Sequence, residues 1–327
     1  MPFVTPSTYK APLLLGNRHL QTILPSYLRK CDNSVSYERE TFIAPDHEPI
    51  FLDWSKAPGG KADKLIIINH GLCGHTRRHY VLSMVKAFND QGWDALAWNY
   101  RGTGPSPVQS AHFTTNDSTD QLKWVTEYAI LKGKYKKVAF AGYSMGGNLC
   151  LLYLLREANN LPSEIIGSAL FCAAIDLEGC SNVFKNFPGS AYCAHFAKKL
   201  VSVAMKLHQD HPEIINIEGL DKVKSTVEFD ELVTAPLLGL KHAQDYWHKA
   251  SACRLLDKLT IPSLMVNPQN DPFLEGECYP IDIAQKSQYL YLEIPKSGGH
   301  CGFITGGKAE WWPTRRAKEF LLPLAEK

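Results

Sequence analysis

The segment 142–146, Gly-Tyr-Ser-Met-Gly, carries the strongest chemical signal in the sequence. It follows a predicted apolar strand, 137–141, and opens a predicted helix, 145–157, which is the context that a G-x-S-x-G nucleophile elbow requires. A serine on such a sharp turn projects its hydroxyl out of the sheet, and the flanking glycines let strand and helix approach each other. The pattern therefore predicts Ser144 as a nucleophile, against the alternative of an ordinary strand-to-helix loop.

Two later segments supply the partners that a reactive serine needs. A serine hydroxyl is a weak nucleophile at neutral pH, so it requires a histidine that accepts its proton and a carboxylate that orients the histidine. Asp271 lies in a turn-forming stretch after a predicted strand, and His300 lies in a glycine-rich loop after the last predicted strand. Alone, Asp271 would be read as a turn-capping residue and His300 as an exposed loop histidine. Together, in this chain order, they predict a Ser144, Asp271, His300 triad.

An acyl-transfer intermediate also needs backbone N–H groups that stabilise its oxyanion. One donor is expected from Met145, the residue after the nucleophile. The other is expected from Leu72, in the loop after the third strand, although a simple strand-to-helix turn is the alternative there. We expect Phe273, with Leu72, Met145 and residues of the cap described below, to line the pocket entrance. Such an apolar lining favours neutral esters with an apolar acyl chain.

The elements that must position these residues alternate between strand and helix. An antiparallel hairpin is predicted first, followed by strands with continuous apolar runs, which is typical of parallel strands buried on both faces. The predicted strands are 35–43, 50–54, 65–68, 95–98, 137–141, 165–173, 263–266 and 289–294. The predicted helices are 79–89, 117–129, 145–157 and 311–325. This order predicts an α/β fold with a mostly parallel central sheet and helices on both faces.

Between residues 176 and 254 the alternation stops and the sequence looks largely helical. We predict an inserted cap, 176–254, over the carboxyl edge of the sheet, where open α/β sheets bind ligands. Residues 1–175 and 255–327 would form the core. Within the cap, apolar residues at 196, 200, 203 and 207 form a helical stripe that predicts packing against the core, with a lipid-touching lid as the alternative. The combination of this fold with the elbow and the triad is that of an α/β-hydrolase.

Composition narrows the class of partner. The 35 Lys and Arg residues nearly balance the 33 Asp and Glu residues, so the net charge of +2 gives no electrostatic reason to expect nucleic acid or an anionic membrane as a partner. The nine cysteines include no C-x-x-C pair, which indicates reduced thiols and a cytoplasmic location. Residues 1–21 contain no apolar run long enough for an integral membrane segment, although transient lipid contact stays open. No phosphate-binding loop or dinucleotide fingerprint is present, so no cofactor is expected.

The chain strongly resembles the YheT-like esterase/lipase family of α/β-hydrolases along nearly its whole length. Two groups of residues discriminate this family from other hydrolases, one near the start of the chain and one in the cap. The resemblance rests on segments 16–22, 69–72, 99–102, 142–148, 228–230, 234–237, 245–246, 250–251 and 298–303. It implies a carboxylic ester or acylglycerol hydrolase with a triad at Ser144, Asp271 and His300.

Other histidines are weaker candidates. Relatives of this family carry a His-x4-Asp string that has been read as an acyltransferase motif, and His112 and Asp117 have its spacing, but Asp117 also suits a helix N-cap. The pairs at 75 and 79 and at 208 and 211 offer no third metal ligand, so no metal site is predicted.

The sequence thus predicts a serine hydrolase that cleaves carboxylic esters, of esterase or acylglycerol lipase type, with a small-molecule ester as substrate. An acyltransferase or thioesterase that uses the same serine is the first alternative. A binding module on a hydrolase fold, without catalysis, is the alternative from another class.

Overall fold

The computed structural model describes residues 3–4, 6–29, 34–60, 62–104, 113–185, 188–306 and 310–327. Within these ranges one sheet contains nine strands in the order β1-β9-β8-β7-β6-β4-β5-β3-β2. The strands are β1 (Phe3–Val4), β2 (Glu38–Ile43), β3 (Pro49–Ser55), β4 (Lys64–Asn69), β5 (Asp94–Asn99), β6 (Lys137–Tyr143), β7 (Ile165–Phe171), β8 (Ser263–Val266) and β9 (Leu290–Glu293).

The sheet is parallel except at one edge. β2 and β3 form an antiparallel hairpin, and β3 also pairs antiparallel with β5, whereas the other neighbouring strands pair in parallel. The predicted edge hairpin and parallel sheet are therefore confirmed. β2 begins at Glu38 and not at Val35, and the sequence analysis did not predict β1, whose two residues pair with β9.

Continuous apolar runs explain why the central strands form. Leu65, Ile66 and Ile67 of β4 have no exposed surface, and β5 is buried along its whole length. Strands covered on both faces bury apolar side chains in both directions, which is why they do not alternate with polar residues. The carboxyl ends of β4, β6, β7 and β8 consequently meet at one edge of the sheet.

Helices cover both faces of the sheet. They are α1 (Arg18–Leu28), α2 (His79–Asn89), α3 (Thr119–Gly133), α4 (Met145–Arg156), α5 (Leu177–Val183), α6 (Gly189–Asp210), α7 (Thr226–Phe229), α8 (Ala235–Leu237), α9 (Ala243–Ala250), α10 (Ile281–Lys286) and α11 (Trp312–Ala325), with a π-helical turn at Asp230–Thr234. None of the helices in the described ranges combines the length and the apolar composition needed to cross a bilayer.

The segment between β7 and β8 is helical in its described part. Its apolar side chains form two small clusters apart from the main core, one around Phe229, which Phe113 joins, and one around Trp247. Ala252 and Leu256 pack on the main core instead. The two separate clusters support our proposal that residues 176–254 form an inserted cap and that 1–175 and 255–327 form the core, and the packing of Ala252 shows that the last residues of the cap already contact the core.

Candidate active site

Ser144 occupies a strained turn between β6 and α4. Its φ of 55° and ψ of −121° lie outside the regions that residues with a Cβ prefer. Its backbone N–H donates to the carbonyl of Phe171 at 3.0 Å, which ties the turn to the neighbouring strand β7. Strain of this kind costs about 1–3 kcal/mol and persists only where the surroundings enforce it.

Close packing around Gly146 enforces the turn. A Cβ on Gly146 would lie 2.4 Å from the carbonyl oxygens of Asn69 and His70, at the end of β4. Helix α4 therefore starts in direct backbone contact with the strand beside it. The serine hydroxyl is left at the carboxyl edge of the sheet, partly accessible to solvent.

The structure brings the three predicted triad residues together. His300 Nε2 lies 2.8 Å from Ser144 Oγ, and His300 Nδ1 lies 2.8 Å and 3.0 Å from the two carboxylate oxygens of Asp271. With Nδ1 protonated and donating to Asp271, Nε2 is free to accept the proton of Ser144. The Asp271 side chain has no exposed surface and that of His300 is 10% exposed, so water screens this pair little.

Opposing effects set the pKa of His300. Burial alone would lower it, but the charge of Asp271, a nearby Cys301 and the hydrogen bond to Asp271 outweigh burial and raise the pKa from 6.5 to about 9. Asp271 therefore stabilises the imidazolium relative to the neutral ring, and the imidazolium is the form that would develop if the histidine took a proton from Ser144.

Backbone and side-chain contacts fix Asp271. The backbone N–H of Phe273 donates to Asp271 Oδ1 at 2.8 Å, and Arg18 Nη2 donates to the Asp271 carbonyl at 2.7 Å. The neighbouring Asn270 donates to the carbonyl of Gly16 and accepts from the backbone N–H of Gly299. The aspartate loop is thus tied both to the histidine loop and to the start of α1.

Helix α1 also holds the histidine loop. It begins where the Asn17 side chain accepts from the N–H groups of residues 19 and 20. Thr22 Oγ1 accepts from the backbone N–H of His300 at 2.9 Å, and Gln21 Oε1 accepts from that of Ile304 at 2.9 Å. A Cβ on Gly302 would lie 1.7 Å from the Gln21 carbonyl, which shows how closely the two segments pack.

Sequence reasoning missed this role for α1. The only signal was that residues 16–22 distinguish the family, and no chemistry was attached to them. Contacts between segments almost 280 residues apart leave no mark on local sequence patterns.

Leu72 and Met145 lie beside the nucleophile. Both line the same cavity as Ser144, and Met145 is the first residue of α4, where backbone N–H groups lack a partner within the helix. A Cβ on Gly71 would lie 3.3 Å from the Cβ of Ser144, so the loop after β4 runs directly against the elbow. The expected oxyanion-binding role of the two amides stays a prediction.

A cavity of about 140 Å³ extends from Ser144 beneath the proposed cap. Its described lining is mainly apolar, and the Phe273 ring lies 4.2 Å from the His300 ring, measured between centroids. Asp230, on the π-helical turn, is the one carboxylate among these lining residues; burial raises its pKa to about 6, and Trp247 Nε1 donates to it at 2.8 Å. The larger apolar residues of the lining are Leu72, Phe113, Met145, Leu177, Phe184, Phe196, Leu200, Phe229, Trp247 and Phe273.

A second, more open cavity of about 540 Å³ reaches the same serine from the side of α1. Ile23, Pro25 and Tyr27 line it together with Ser144 and His300. Ser144 therefore lies where the cavity beneath the proposed cap meets the more open cavity on the side of α1.

The histidines outside the triad have other surroundings. His112 lies outside the described residues. Asp117 pairs with Arg156 at 2.5 Å and Lys249 at 2.8 Å, and α3 begins at Thr119 after Ser118, so the expected N-cap role of Asp117 is wrong. Its carboxylate is held by two cations instead of by the helix terminus.

Sulfur atoms surround the aspartate and histidine loops. Eight cysteines are described and all are free thiols, while Cys31 lies outside the described residues. The sulfurs of Cys180 and Cys278 are 3.6 Å apart. In the described part of the chain, one group of three side chains could offer metal ligands, Cys172, His300 and Cys301, whose ligand atoms lie within 4.8 Å of one another. Both ring nitrogens of His300 already have partners, Asp271 and Ser144.

A parallel sheet with a serine elbow, followed in the chain by the aspartate and histidine that meet it, defines an α/β-hydrolase. Residues 60–275, well over half of the chain, match the model of the family described as "Serine aminopeptidase, S33". The chain belongs to this family of α/β-hydrolases.

Relatives agree with this assignment. "Putative esterase YheT" of Escherichia coli strain K12 is 28% identical over 320 residues, covering 95% of this chain and 92% of that protein, which confirms the resemblance found in the sequence. The monoacylglycerol lipase of Saccharomyces cerevisiae is 24% identical over 357 residues, covering 94% of this chain and 79% of its own length. The Pyrococcus furiosus esterase Pf2001 has a similar fold, with a TM-score of 0.60 at 18% identity over 89% of this chain and 92% of that one.

Proposed function

We propose that the protein hydrolyses carboxylic esters through an acyl intermediate on Ser144. The prediction of a carboxylic ester hydrolase is confirmed by relatives named as an esterase and a lipase. The acyl-serine route is our proposal. The observation that carries it is the hydrogen-bonded chain from Ser144 through His300 to Asp271 at the mouth of an apolar cavity.

The contacts give each group a task. His300 Nε2 accepts the proton of Ser144 as Oγ attacks the ester carbonyl carbon, and Asp271 stabilises the imidazolium that forms. Collapse of the tetrahedral intermediate breaks the bond to the leaving alcohol, which takes the proton from His300. Water then attacks the acyl carbon by the same route, with His300 as base, and releases the acid and Ser144.

The N–H groups of Leu72 and Met145 would donate to the oxyanion in both steps. Preorganised donors of this kind contribute about 3–4 kcal/mol of transition-state stabilisation where they have been removed singly. The apolar cavity beneath the proposed cap supports an uncharged acyl chain as the group held there, and the open cavity would take the leaving group.

Replacement of Ser144 by alanine tests the proposal. We expect Ser144→Ala to lose at least about a thousandfold in kcat on a short-chain p-nitrophenyl ester and to lose labelling by a fluorophosphonate probe. Ser163→Ala, at an exposed serine whose side chain bonds to Glu164, serves as the control and should retain both. An undiminished rate in Ser144→Ala would refute the acyl-serine route.

Acyl transfer to an alcohol is a second candidate, favoured by the open cavity beside Ser144, which offers space for an acceptor other than water. Both reactions share the acyl intermediate and differ in what resolves it. Analysis of the products in the presence of a competing alcohol separates them: free acid indicates hydrolysis, and a new ester indicates transfer.

A further inference from the structure

Large apolar side chains that face solvent are concentrated near the start of the described chain. The exposed fraction of the residue is 91% for Leu13, 87% for Leu14 and 81% for Tyr27. Other exposed apolar residues, such as Leu131, are scattered over the rest of the described surface. We call the following set the N-terminal apolar surface: Leu13, Leu14, Leu20, Ile23, Tyr27 and Leu28.

Helix α1 exposes its apolar residues to solvent, whereas an ordinary surface helix turns them toward the core. Its buried positions are Gln21 and Pro25, one turn apart, whereas Leu20, Ile23 and Tyr27 are exposed. A surface helix normally turns its apolar stripe toward the core. The polar Gln21 is buried because it bonds to the histidine loop, and the apolar face is left for another contact.

The turn before α1 displays two leucines in the same way. Leu15 N–H donates to the Pro12 carbonyl at 3.0 Å, and this tight turn places Leu13 and Leu14 outside. Leu14 has a φ of +69°, an uncommon conformation for a residue with a large side chain. Single exposed leucines are ordinary, but six exposed apolar side chains within residues 13–28 form a candidate interaction site.

The N-terminal apolar surface adjoins the route to the nucleophile. Ile23 and Tyr27 belong both to this surface and to the lining of the open cavity that reaches Ser144 and His300. A partner that covers the surface would therefore stand at the entrance of the active site.

Charge near the start of the sequence and in the described lining of the open cavity has one sign. Residues 1–31 contain four Lys and Arg residues, Lys10 and Arg18 among them, and no Asp or Glu. The described lining of the open cavity adds Arg78 and Lys199, again without a carboxylate. The chain as a whole is nearly neutral, but this local excess of positive charge complements an anionic surface.

We propose that the N-terminal apolar surface docks on an anionic lipid surface and brings the open cavity to esters held in it. Apolar side chains flanked by basic residues bind membrane interfaces by inserting between head groups while the cations pair with anionic lipids. The delivery of ester substrates rests on the proposed function; the binding to lipid does not.

Vesicle flotation of the Ser144→Ala variant tests the docking, because this variant should not hydrolyse the vesicle lipids. We expect binding to vesicles of phosphatidylcholine with about a third phosphatidylserine, weaker binding to phosphatidylcholine alone, and release at high salt. Adding Leu13→Ser, Leu14→Asn and Leu28→Ser should weaken binding by at least about tenfold, because three apolar side chains no longer insert. Asparagine suits the backbone at 14.

Two further variants in the same background complete the test. Leu131→Ser removes a leucine that is 79% exposed on α3, far along the chain from this surface, and should leave binding unchanged. Lys10→Glu should weaken binding to the anionic vesicles selectively. With Ser144 restored, the triple variant should hydrolyse a soluble p-nitrophenyl ester at the parent rate but an ester embedded in vesicles more slowly.

Three outcomes would overturn the proposal: no flotation by the parent, equal flotation by parent and triple variant, or a dimer that the triple variant dissociates, which would assign the surface to a second copy of the chain. Flotation together with inactivity on every ester would instead defeat the proposed function and leave the docking intact.

Discussion

His300 is held between a buried carboxylate on one nitrogen and the serine hydroxyl on the other, with the Phe273 ring against its face. Its raised pKa has two consequences of opposite direction. Because the pKa of His300 is higher in the folded state, protonated His300 stabilises the folded protein through its contact with Asp271. This contribution is complete below pH 6.5 and is lost as the pH rises through about 9. Catalysis needs the neutral imidazole, so activity should increase over the same range in which stability falls.

Replacement of Asp271 by asparagine separates these effects. The substitution removes the charge that raises the pKa of His300 but leaves the burial that lowers it. We expect the rising limb of kcat/KM against pH to move to lower pH, and kcat to fall roughly ten-thousandfold because the histidine tautomer is no longer enforced. Initial rates measured between pH 5 and 10 or so check both; a limb that stays in place would contradict the electrostatic role of Asp271.

At the scale of single residues, the sequence points to the proposed triad, whose side chains the structure brings together, better than to the residues that support it. Ser144, Asp271 and His300 each lie in a local context that the chemistry demands, namely an elbow, a post-strand turn and a glycine-rich loop. Arg18 and Thr22 occupy a helix with no such context. Their importance depends on which distant loop the fold brings to them, and only the structure supplies that information.

The elbow between β6 and α4 depends on close contact between elements. Gly146 faces the carbonyls at the end of β4, so close backbone packing helps to fix the position of Ser144. The sequence predicted this junction because continuous apolar strands and a glycine pattern are local signals.

Gly146→Ala tests that packing. A methyl group 2.4 Å from two carbonyl oxygens must displace either the helix or β4, so we expect a loss of about 1–3 kcal/mol in the free energy of unfolding, together with a large fall in kcat. Gly16→Ala is the matched control, because a Cβ there meets nothing within 4 Å. Urea titration of both variants gives the comparison, and equal stability would mean that the elements can separate without cost.

Other elements were harder to predict. Helix α1 carries Pro25 in its interior, which argues against a helix in the sequence pattern, and its apolar stripe faces solvent while the polar Gln21 is buried. Strand β1 has only two residues, which is too short to form a pattern. Helix α3 starts two residues later than predicted because Asp117 is engaged by Arg156 and Lys249.

At the scale of the whole molecule, the two ends of the chain meet around the active site. β1 pairs with β9, Tyr9 donates to the carbonyl of Ile304, and Thr22 accepts from His300. The overall α/β architecture followed from the sequence because parallel strands have a strong signature. The meeting of the ends did not, since pairing over such distances depends on tertiary packing.

Thr22 offers a test of this long-range contact as a positioning residue. Thr22→Val keeps the shape but leaves the partly buried N–H of His300 without its acceptor, so we expect kcat/KM to fall about tenfold and the free energy of unfolding to fall by about 1 kcal/mol. Thr22→Ser retains the hydroxyl and should restore the rate. If valine and serine give the same kcat/KM, the hydrogen bond does not position the histidine.

The docking of residues 16–22 against residues 270–304 also has a consequence for the synthesis of the protein on the ribosome. A ribosome makes the bracing segment first and the loops that it braces nearly 280 residues later, an interval of roughly a quarter of a minute to a minute. Throughout that time Gln21 and Thr22 lack the late partners that they have in the folded protein, the N–H groups of Ile304 and His300. By the proposed route, ester cleavage can begin only after His300 has been made and its loop has docked on α1.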